Sequence, residues 1–281
     1  MRDPGATIAS SLPARIARVV FLVFVLLLLY GPLAILALFS FNDAIVIALP
    51  FETFTLEWYR EALQNTLVRE SLKNSIVLAT VVMPISVLLG TLAAFAVTRF
   101  AYRMRSGVAV LVGGPLVVPW LLISVGLLLF FSRIEMPLGF LTIGLSHVVV
   151  AFPLVAAIIS ARLLRFDPRQ EEAARDLGAT NTEVLRYVIL PHLAPALAAS
   201  AVLAFSYSFN NFVITFFTGG FELTFPTWVF STLRHAQNVP IVNAISTLVS
   251  AVQLGVILLV WWLWNRRARR HAGVDPMEML W

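Results

Sequence analysis

The residues best suited to binding chemistry lie in one polar loop, residues 167–191, between two very hydrophobic segments. Glu171 and Glu172 are candidates for a general acid and base. Neighbouring residues on a helix point in different directions, however, so a catalytic pair is not expected there.

Local signals predict that this loop folds as two short helices. Asp167 can cap the first helix, because its carboxylate can accept hydrogen bonds from the free N–H groups of the opening turn. Pro168 suits the first helical position, where no N–H is needed, and Glu171 and Glu172 then sit near the positive end of the helix dipole. Gly178 fits the left-handed residue that ends a helix.

The second helix is predicted from Thr180 and Glu183, which have the spacing of a capping box. Pro191 is expected to close the loop. The product is a small, pre-shaped helix-turn-helix at a membrane face. On loop physics alone, an amphipathic loop without a partner is the simpler explanation.

A second polar group, Ser206, Tyr207, Asn210, Asn211 and Thr215, lies inside an apolar run. Tyr207, Asn211 and Thr215 are four residues apart, so an unbroken helix would place them on one face with the other two beside them. Amides that face lipid are costly, so this stripe should face the bundle interior or a watery path. Two interpretations stay open: a path for a solute, or hydrogen bonds that hold helices together.

Other kinds of chemistry are not indicated. The sequence has no Gly-rich phosphate-binding loop with Lys and Ser or Thr, and its four histidines show no metal-ligand spacing. It has no cysteine and therefore no disulfide framework. We predict no catalytic residues, no metal and no cofactor. His147, inside an apolar run, is interpreted as a packing residue with a proton relay as the alternative, and His192 is expected to help end the loop.

The composition indicates what kind of elements must position these residues. Of 281 residues, 59% are hydrophobic and 12% are charged, and the mean hydropathy is +0.88. These values are typical of a polytopic membrane protein and exclude an ordinary soluble one. The net charge of +5 could suggest nucleic acid, but the arginines cluster between apolar runs, where they orient a chain in a membrane.

Six apolar runs are long enough to cross a bilayer and predict an all-α membrane protein with six transmembrane helices. The first, 19–42, is interpreted as an uncleaved span, because it is longer than a secretory signal needs and lacks a clear cleavage site. The others are expected at 74–98, 106–132, 136–161, about 193–217 and about 243–265.

Two further features qualify these spans. Prolines interrupt several of them, and two interpretations stay open: helices that bend around a cavity, or kinks that serve only the packing of the helices. Between the first two spans, Thr55-Leu56-Glu57-Trp58-Tyr59 predicts a short interfacial helix.

The positions of Lys and Arg predict the orientation. With a cytoplasmic N-terminus, the inner segments hold 15 of the 20 basic residues and the outer segments hold 5. This bias obeys the positive-inside rule. The tails 1–18 and 266–281 and the loop 162–192 are therefore predicted to be cytoplasmic, with both termini inside and segment 43–73 outside.

The polar loop resembles the EAA loop of the permease subunits of bacterial ABC importers. Glu172-Ala173-Ala174 is followed after three residues by Gly178, and Val188 and Leu190-Pro191 follow at the family's spacing, with Val188 where the family usually has isoleucine. In that family the loop docks into a cleft on a separate ATPase subunit. The docking residues that this implies are Glu171, Glu172, Ala173, Ala174, Asp176, Leu177, Gly178, Ala179, Leu190 and Pro191.

The resemblance extends from about Phe51 to about Arg267 and is closest to the second permease of the spermidine/putrescine importer group. It implies the type I importer membrane fold, with five core helices in residues 74–265 and the first helix packed outside them. The implied partners are two ATPase subunits, a second homologous permease and an extracytoplasmic solute-binding protein. ATP hydrolysis would belong to the separate subunit, so this chain is not expected to be an enzyme.

The implied function is ATP-driven import of a polyamine or similar organic solute across a bacterial inner membrane, by alternating access. The path would run along Ser206, Tyr207, Asn210, Asn211 and Thr215. The resembled group often has acidic residues at the two asparagine positions, and neutral amides attract a cation less strongly. The alternative is an ion-gradient-driven carrier or channel without an ATPase, which would need intramembrane charges, and the apolar runs hold none.

Overall fold

Helices form from almost every apolar run in the computed structural model, which describes residues 12–43, 53–99, 102–235 and 238–272. An all-α architecture is confirmed over these residues, where extended pairing is limited to an isolated bridge between Asn42 and Phe54. Residues 1–11 and 273–281 of the predicted tails, and 44–52 of the predicted outer segment, lie outside the described residues.

Contacts divide the chain into two compact units, one formed by Thr66–Ser231 and the other by the residues on either side. The larger unit holds α3 (Thr66–Arg99), α4 (Tyr102–Val117), α5 (Trp120–Arg133), α6 (Phe140–Leu164), α7 (Arg169–Asp176), α8 (Asn181–Val184), α9 (Leu190–Phe209), α10 (Val213–Thr218) and most of α11 (Phe225–Arg234). Its centre is the mutual packing of α3, α6 and α9.

The packing of α3 on α6 is closest at Gly90. A Cβ atom built at this position would lie 2.6 Å from the Cβ of Val155 and 2.7 Å from the carbonyl oxygen of Phe152. Small residues allow membrane helices to approach closely in this way. The hydrophobic effect does not drive helices together within lipid, so this close van der Waals contact stabilises their packing. Helices α3 and α6 are therefore in close contact at this point.

The predicted third span is broken. Helices α4 and α5 are together long and apolar enough to cross a membrane, but they meet at an angle of 104°. The break falls at Val118 and Pro119, where proline offers no N–H and disfavours helical geometry in the residue before it. Pro84 and Pro153, by contrast, lie inside the continuous helices α3 and α6.

The predicted fifth span differs at both ends. It begins earlier, because α8 continues through a π-helical turn, Leu185–Ile189, directly into α9. The prediction that Pro191 closes the loop is wrong, since Pro191 lies inside this helical segment, directly after the π turn. Proline has no N–H to donate to the preceding turn, and the irregular turn stands where that hydrogen bond is missing. At the far end the helix stops at Phe209 and resumes as α10 after Asn210–Phe212.

The smaller unit holds α1 (Leu12–Phe39), α2 (Glu57–Gln64) and α12 (Val239–Ala272), and both α1 and α2 pack against α12. The predicted short helix after Thr55 is confirmed as α2. Trp58 Nε1 donates to the carbonyl of Asn42 at 2.9 Å, and the Tyr59 hydroxyl donates to Ser40 Oγ at 2.6 Å, because the Ser40 proton is used on the carbonyl of Ala37. These bonds tie α2 to the end of α1.

Among the described residues, five helices are long and apolar enough to cross a membrane, and the bent pair α4 and α5 brings the number to six. The number of spans therefore agrees with the sequence prediction. The arginines after residue 265 end the apolar span but not the helix, since α12 continues to Ala272.

Candidate functional site

The first helix of the loop, α7, is closed at both ends by local hydrogen bonds. Asp167 Oδ1 accepts from the backbone N–H of Arg169 at 3.0 Å, as the sequence predicts. At the other end Gly178 has φ +88°, the left-handed conformation predicted for it. The N–H of Ala179 donates to the carbonyl of Ala174 and that of Gly178 to the carbonyl of Arg175, which together form a Schellman motif.

The second helix of the loop opens with the predicted capping box. The N–H of Glu183 donates to Thr180 Oγ1 at 3.4 Å, and the Glu183 carboxylate accepts from the N–H of Thr180 at 2.8 Å. Because α8 runs through the π turn into α9, this box caps a helical segment of 29 residues, Asn181–Phe209. A displacement of the loop would therefore be carried into the apolar part of the same helix.

Glu171 faces inwards and fastens α7 to the bundle. Only 5% of its surface is exposed, and its carboxylate forms an ion pair with Arg99 at the end of α3. Arg175, one turn further along α7, approaches the second carboxylate oxygen at 3.8 Å. Charge-assisted bonds to a buried carboxylate offset its loss of hydration, so Glu171 holds the loop in place.

The opposite side of α7 faces outwards. Glu172, Ala173, Asp176 and Leu177 lie there, and Leu177 is 90% exposed. Leu177 is an apolar side chain among charged neighbours on this exposed side. We refer to these four residues as the outer face of α7.

The other residues predicted for docking are placed in two ways. Ala174 and Ala179 are half-buried and pack against the buried apolar cluster beneath the loop, which includes Phe166, Val184 and Leu193. Gly178, Leu190 and Pro191 are exposed. His192 stacks its ring edge-on against Phe166 with centroids 4.9 Å apart, and its carbonyl accepts from Arg162 Nε at 3.2 Å.

The five polar residues of the predicted path do not share one continuous helix face, because the helix stops at Phe209. The side-chain amide of Asn210 donates back to the carbonyl of Ser206 at 3.0 Å, and Asn211 Oδ1 accepts from the N–H of Ile214 at 3.0 Å. Asparagine competes with the helix for backbone partners in this way. The amides therefore accompany the break and cap the helix that follows it.

The two sides of the break differ in exposure. Asn210 is exposed, and Ser206 and Tyr207 are half-buried, whereas Asn211 and Thr215 are buried. Among the described residues, the buried hydroxyl of Tyr207 has no hydrogen-bond partner within 3.5 Å, and the Asn211 amide is its polar neighbour. The Tyr207 ring meets Trp120 edge-on with centroids 5.5 Å apart. Trp120 opens α5, so the break in the third span and the break in the fifth lie close together.

His147 belongs to this group, although no sequence pattern predicted its place there. It is fully buried on α6. Its Nδ1 lies 2.9 Å from Ser208 Oγ and its Nε2 lies 3.0 Å from Thr215 Oγ1. The interpretation of His147 as a satisfied packing residue agrees with these contacts. A lone histidine in an apolar run carries no signal of which distant hydroxyls it will meet.

The opposite end of the larger unit is also tied together by side chains. The Asn74 amide donates to the carbonyl of Leu223 at 2.8 Å, and Ser75 Oγ accepts from the N–H of Phe225 at 2.8 Å. Arg99, at the other end of α3, pairs with the loop. The segment before α11 and the polar loop are therefore separated by about 38 Å along α3, the rise of the helix between Asn74 and Arg99.

Metal chemistry has no support in the described part of the chain, where no group of three or more potential ligands comes together. The arrangement offers instead a rigid loop with an outward surface, a helix that leads from it into the bundle, and a polar break where that helix ends.

Comparison with known proteins gives consistent relationships. The model of the family described as "Binding-protein-dependent transport system inner membrane component" matches residues 86–266. The putrescine transport system permease protein PotI of Escherichia coli (strain K12) is 33% identical over 262 residues, which cover 90% of this chain and 92% of that protein. The spermidine/putrescine transport system permease protein PotC of the same strain is 30% identical over 245 residues, or 87% of this chain and 92% of that protein.

Solved structures of low sequence identity share the fold. A chain of the bacterial alginate ABC transporter in complex with alginate pentasaccharide-bound periplasmic protein has a TM-score of 0.70 at 15% identity, with 91% of this chain and 94% of that chain covered. A chain of an amino acid ABC transporter crystallised with histidines has a TM-score of 0.59 at 20% identity, covering 76% and 100% respectively.

Proposed function

The chain belongs to the family of binding-protein-dependent transport system inner membrane components, and from that premise we propose that it is the membrane-spanning permease subunit of an ATP-driven importer. It is a multi-pass protein of the bacterial inner membrane, as the family and its apolar helices require. A small organic solute would pass from an extracytoplasmic binding protein through this subunit to the cytoplasm. ATP would be hydrolysed by a separate subunit.

The observation that carries the proposal is the construction of the polar loop. Its inner side is fixed by the Glu171–Arg99 ion pair, and its outer face presents Glu172 and Leu177 to the surroundings. A docking element must be rigid on one side and available on the other, since binding that orders a loose loop loses conformational entropy. The outer face of α7 is thus the proposed contact with the ATPase.

The same loop offers a route for the motion. Helix α8 is continuous with α9, and α9 ends at the polar break beside Asn210. A push on the loop by closing ATPase subunits would shift this helix as one body and change access to the break. Alternating access of this kind is a two-state equilibrium that ATP shifts by binding the two states unequally.

For the substrate we propose a polyamine such as spermidine or putrescine, or a similar organic solute. The names of the relatives PotI and PotC support this class. Asn210 and Asn211 are neutral, so the site offers hydrogen bonds and the faces of Tyr207 and Trp120 instead of carboxylates. Aromatic faces attract ammonium groups, at about 0.5–2 kcal/mol for each contact.

The proposed assembly contains two ATPase subunits and a second, homologous permease. Both termini and the loop 162–192 would face the cytoplasm, and residues 74–265 would form the core domain. The Glu171–Arg99 contact supports this orientation, because it joins two segments that the distribution of basic residues assigns to the same side.

The proposal is tested by purifying the solubilised complex and reconstituting it in proteoliposomes. Wild type should retain an ATPase with a phosphate-binding loop, identified by mass spectrometry, and should take up labelled putrescine or spermidine only with ATP inside. We expect Glu172→Ala and Leu177→Ser to lose the ATPase and to reduce uptake at least about tenfold, the effect of removing contacts at the centre of an interface.

Thr182→Ala is the matched control, because Thr182 is exposed in the same loop but lies outside the outer face of α7. It should behave as wild type. Wild-type uptake in both outer-face variants would refute the docking role, and uptake driven by an ion gradient without any ATPase would favour the carrier alternative.

A further inference from the structure

We propose that His147 is a positioning residue that bridges the break in the fifth span and holds α9 and α10 at a set angle. Its imidazole contacts Ser208 in the last turn of α9 through Nδ1 and Thr215 in α10 through Nε2. Both contacts join the imidazole to a neutral hydroxyl, so the bridge needs no charged residue at the break. The consequence for solute passage rests on the proposed function, whereas the bridge rests on the contacts alone.

The direction of each hydrogen bond follows from counting protons. The Thr215 hydroxyl has one proton, and it is donated to the carbonyl of Asn211 at 2.7 Å. Thr215 Oγ1 can therefore only accept from the ring, so Nε2 of His147 carries the proton. Nδ1 is then left as the acceptor for the Ser208 hydroxyl. The imidazole is neutral and fully satisfied, and both of its partners are hydroxyls.

The bridge extends on either side of the histidine. Asn211, whose carbonyl accepts from Thr215, also caps α10 through its side chain. At the far end of α10, Thr142 shares its proton between the carbonyls of Gly139 and Thr218. Helix α10 has only six residues and is too short to be stable alone. It is held to α6 near its middle by His147 and at its end by Thr142.

The position of the bridge explains why it bears on transport. Tyr207 and Asn210 lie beside Ser208, on the α9 side of the break, while Asn211 and Thr215 lie on the other side. If α9 and α10 turned independently, the half-buried and the buried parts of the proposed path would no longer have a fixed separation. Binding groups that are held in place by a second set of contacts retain their geometry.

The bridge is tested by measuring the distance across the break. The chain has no cysteine, so cysteines introduced for the exposed Leu203 on α9 and Phe216 on α10 are its only labelling sites. Spin labels at these positions in the full chain, in lipid nanodiscs with its co-purifying subunits, report the distance distribution by pulsed EPR. Wild type should give one narrow distribution.

His147→Phe fills the space without hydrogen bonds, and we expect its distance distribution to broaden about twofold, because other orientations of α9 and α10 become populated once the bonds are lost. His147→Gln supplies one acceptor and one donor and should narrow the distribution again. Ser208→Ala removes one end of the bridge with less disturbance, and it decides the question if His147→Phe does not fold. Ser146→Ala is the matched control, since the hydroxyl of this buried neighbour of His147 donates within its own helix, to the carbonyl of Thr142.

Uptake of labelled putrescine by the same complexes gives the functional readout. The KM should rise about tenfold in His147→Phe, as expected for the loss of a hydrogen-bond pair, recover in part in His147→Gln and stay unchanged in Ser146→Ala. If wild type transports neither putrescine nor spermidine, the proposed substrate fails, and the distance measurement still decides the bridge. Narrow, wild-type distributions in both His147→Phe and Ser208→Ala would overturn the proposal.

Discussion

The loop around α7 and the break between α9 and α10 are both polar, but they are stabilised in different ways. In the loop most hydrogen bonds join residues that are close in sequence, as in the Thr180–Glu183 box and the turn at Gly178. At the break the decisive bonds come from His147, which lies more than sixty residues away. A surface loop in contact with water can rely on local caps, whereas buried hydroxyls and amides need partners from other helices.

The ion pair of Glu171 is a contact of α7 that departs from this pattern. Glu171 is in the same turn as Glu172, yet it is buried and pairs with Arg99, 72 residues away. The loop therefore combines a locally determined shape with a long-range attachment. The break combines a local cap, at Asn211, with the long-range bridge. Variants that remove one kind of contact at a time therefore separate the contribution of the local caps from that of the long-range contacts.

The largest effect is expected from Gly90→Leu. Gly90 lies where α3, which carries Arg99, packs on α6, which carries His147, and a Cβ there would approach Val155 Cβ to 2.6 Å. The helices must separate, which should cost about 3 kcal/mol and disturb both regions together. The melting temperature of the solubilised protein should fall, and so should its retention of the ATPase and its uptake of labelled solute. Gly113→Leu is the control, because nothing lies within 4 Å of a Cβ at that glycine. Similar melting temperatures for the two variants would contradict the packing argument.

An intermediate effect, confined to the loop, is expected from Arg99→Ala. It leaves the buried Glu171 carboxylate with only Arg175, at 3.8 Å, and should cost about 2 kcal/mol, because a buried charge loses its main partner. The distance distribution across the break should be unchanged. Arg175→Ala removes the longer, more exposed contact and should change the melting temperature little. An equal loss in both variants would show that the Arg99 pair has no special role.

The smallest effects are expected from the two caps, Thr180→Ala in the loop and Asn211→Ala at the break. Each removes one capping side chain, at about 1 kcal/mol. Thr180 is exposed, so water can replace its bonds, and the change should stay local. Asn211 is buried, so its loss should also widen the distance distribution between α9 and α10. If the distance distribution widened equally in both variants, the loop and the break would not differ in how their caps are stabilised.

The amino-acid sequence by itself determined the class of protein, the number of spans and the structure of the loop ends. Long apolar runs need no partner to identify them, because a bilayer demands a certain length of helix. Asp167, Gly178, Thr180 and Glu183 act within a few residues of their own positions, so their roles could be read locally. The family was also evident, since the spacing of the loop motif is a property of the sequence alone.

Tertiary structure decided the direction in which Glu171 points, the break at Asn210–Phe212 and the partners of His147. The predicted single face of Tyr207, Asn211 and Thr215 assumed an unbroken helix, and no proline warned against that assumption. The Asn210 and Asn211 side chains compete for backbone groups. The His147 imidazole on α6 then supplies hydrogen-bond partners to the hydroxyls on both sides of the interruption. Such contacts join residues far apart in the chain, so their energies depend on how the helices pack.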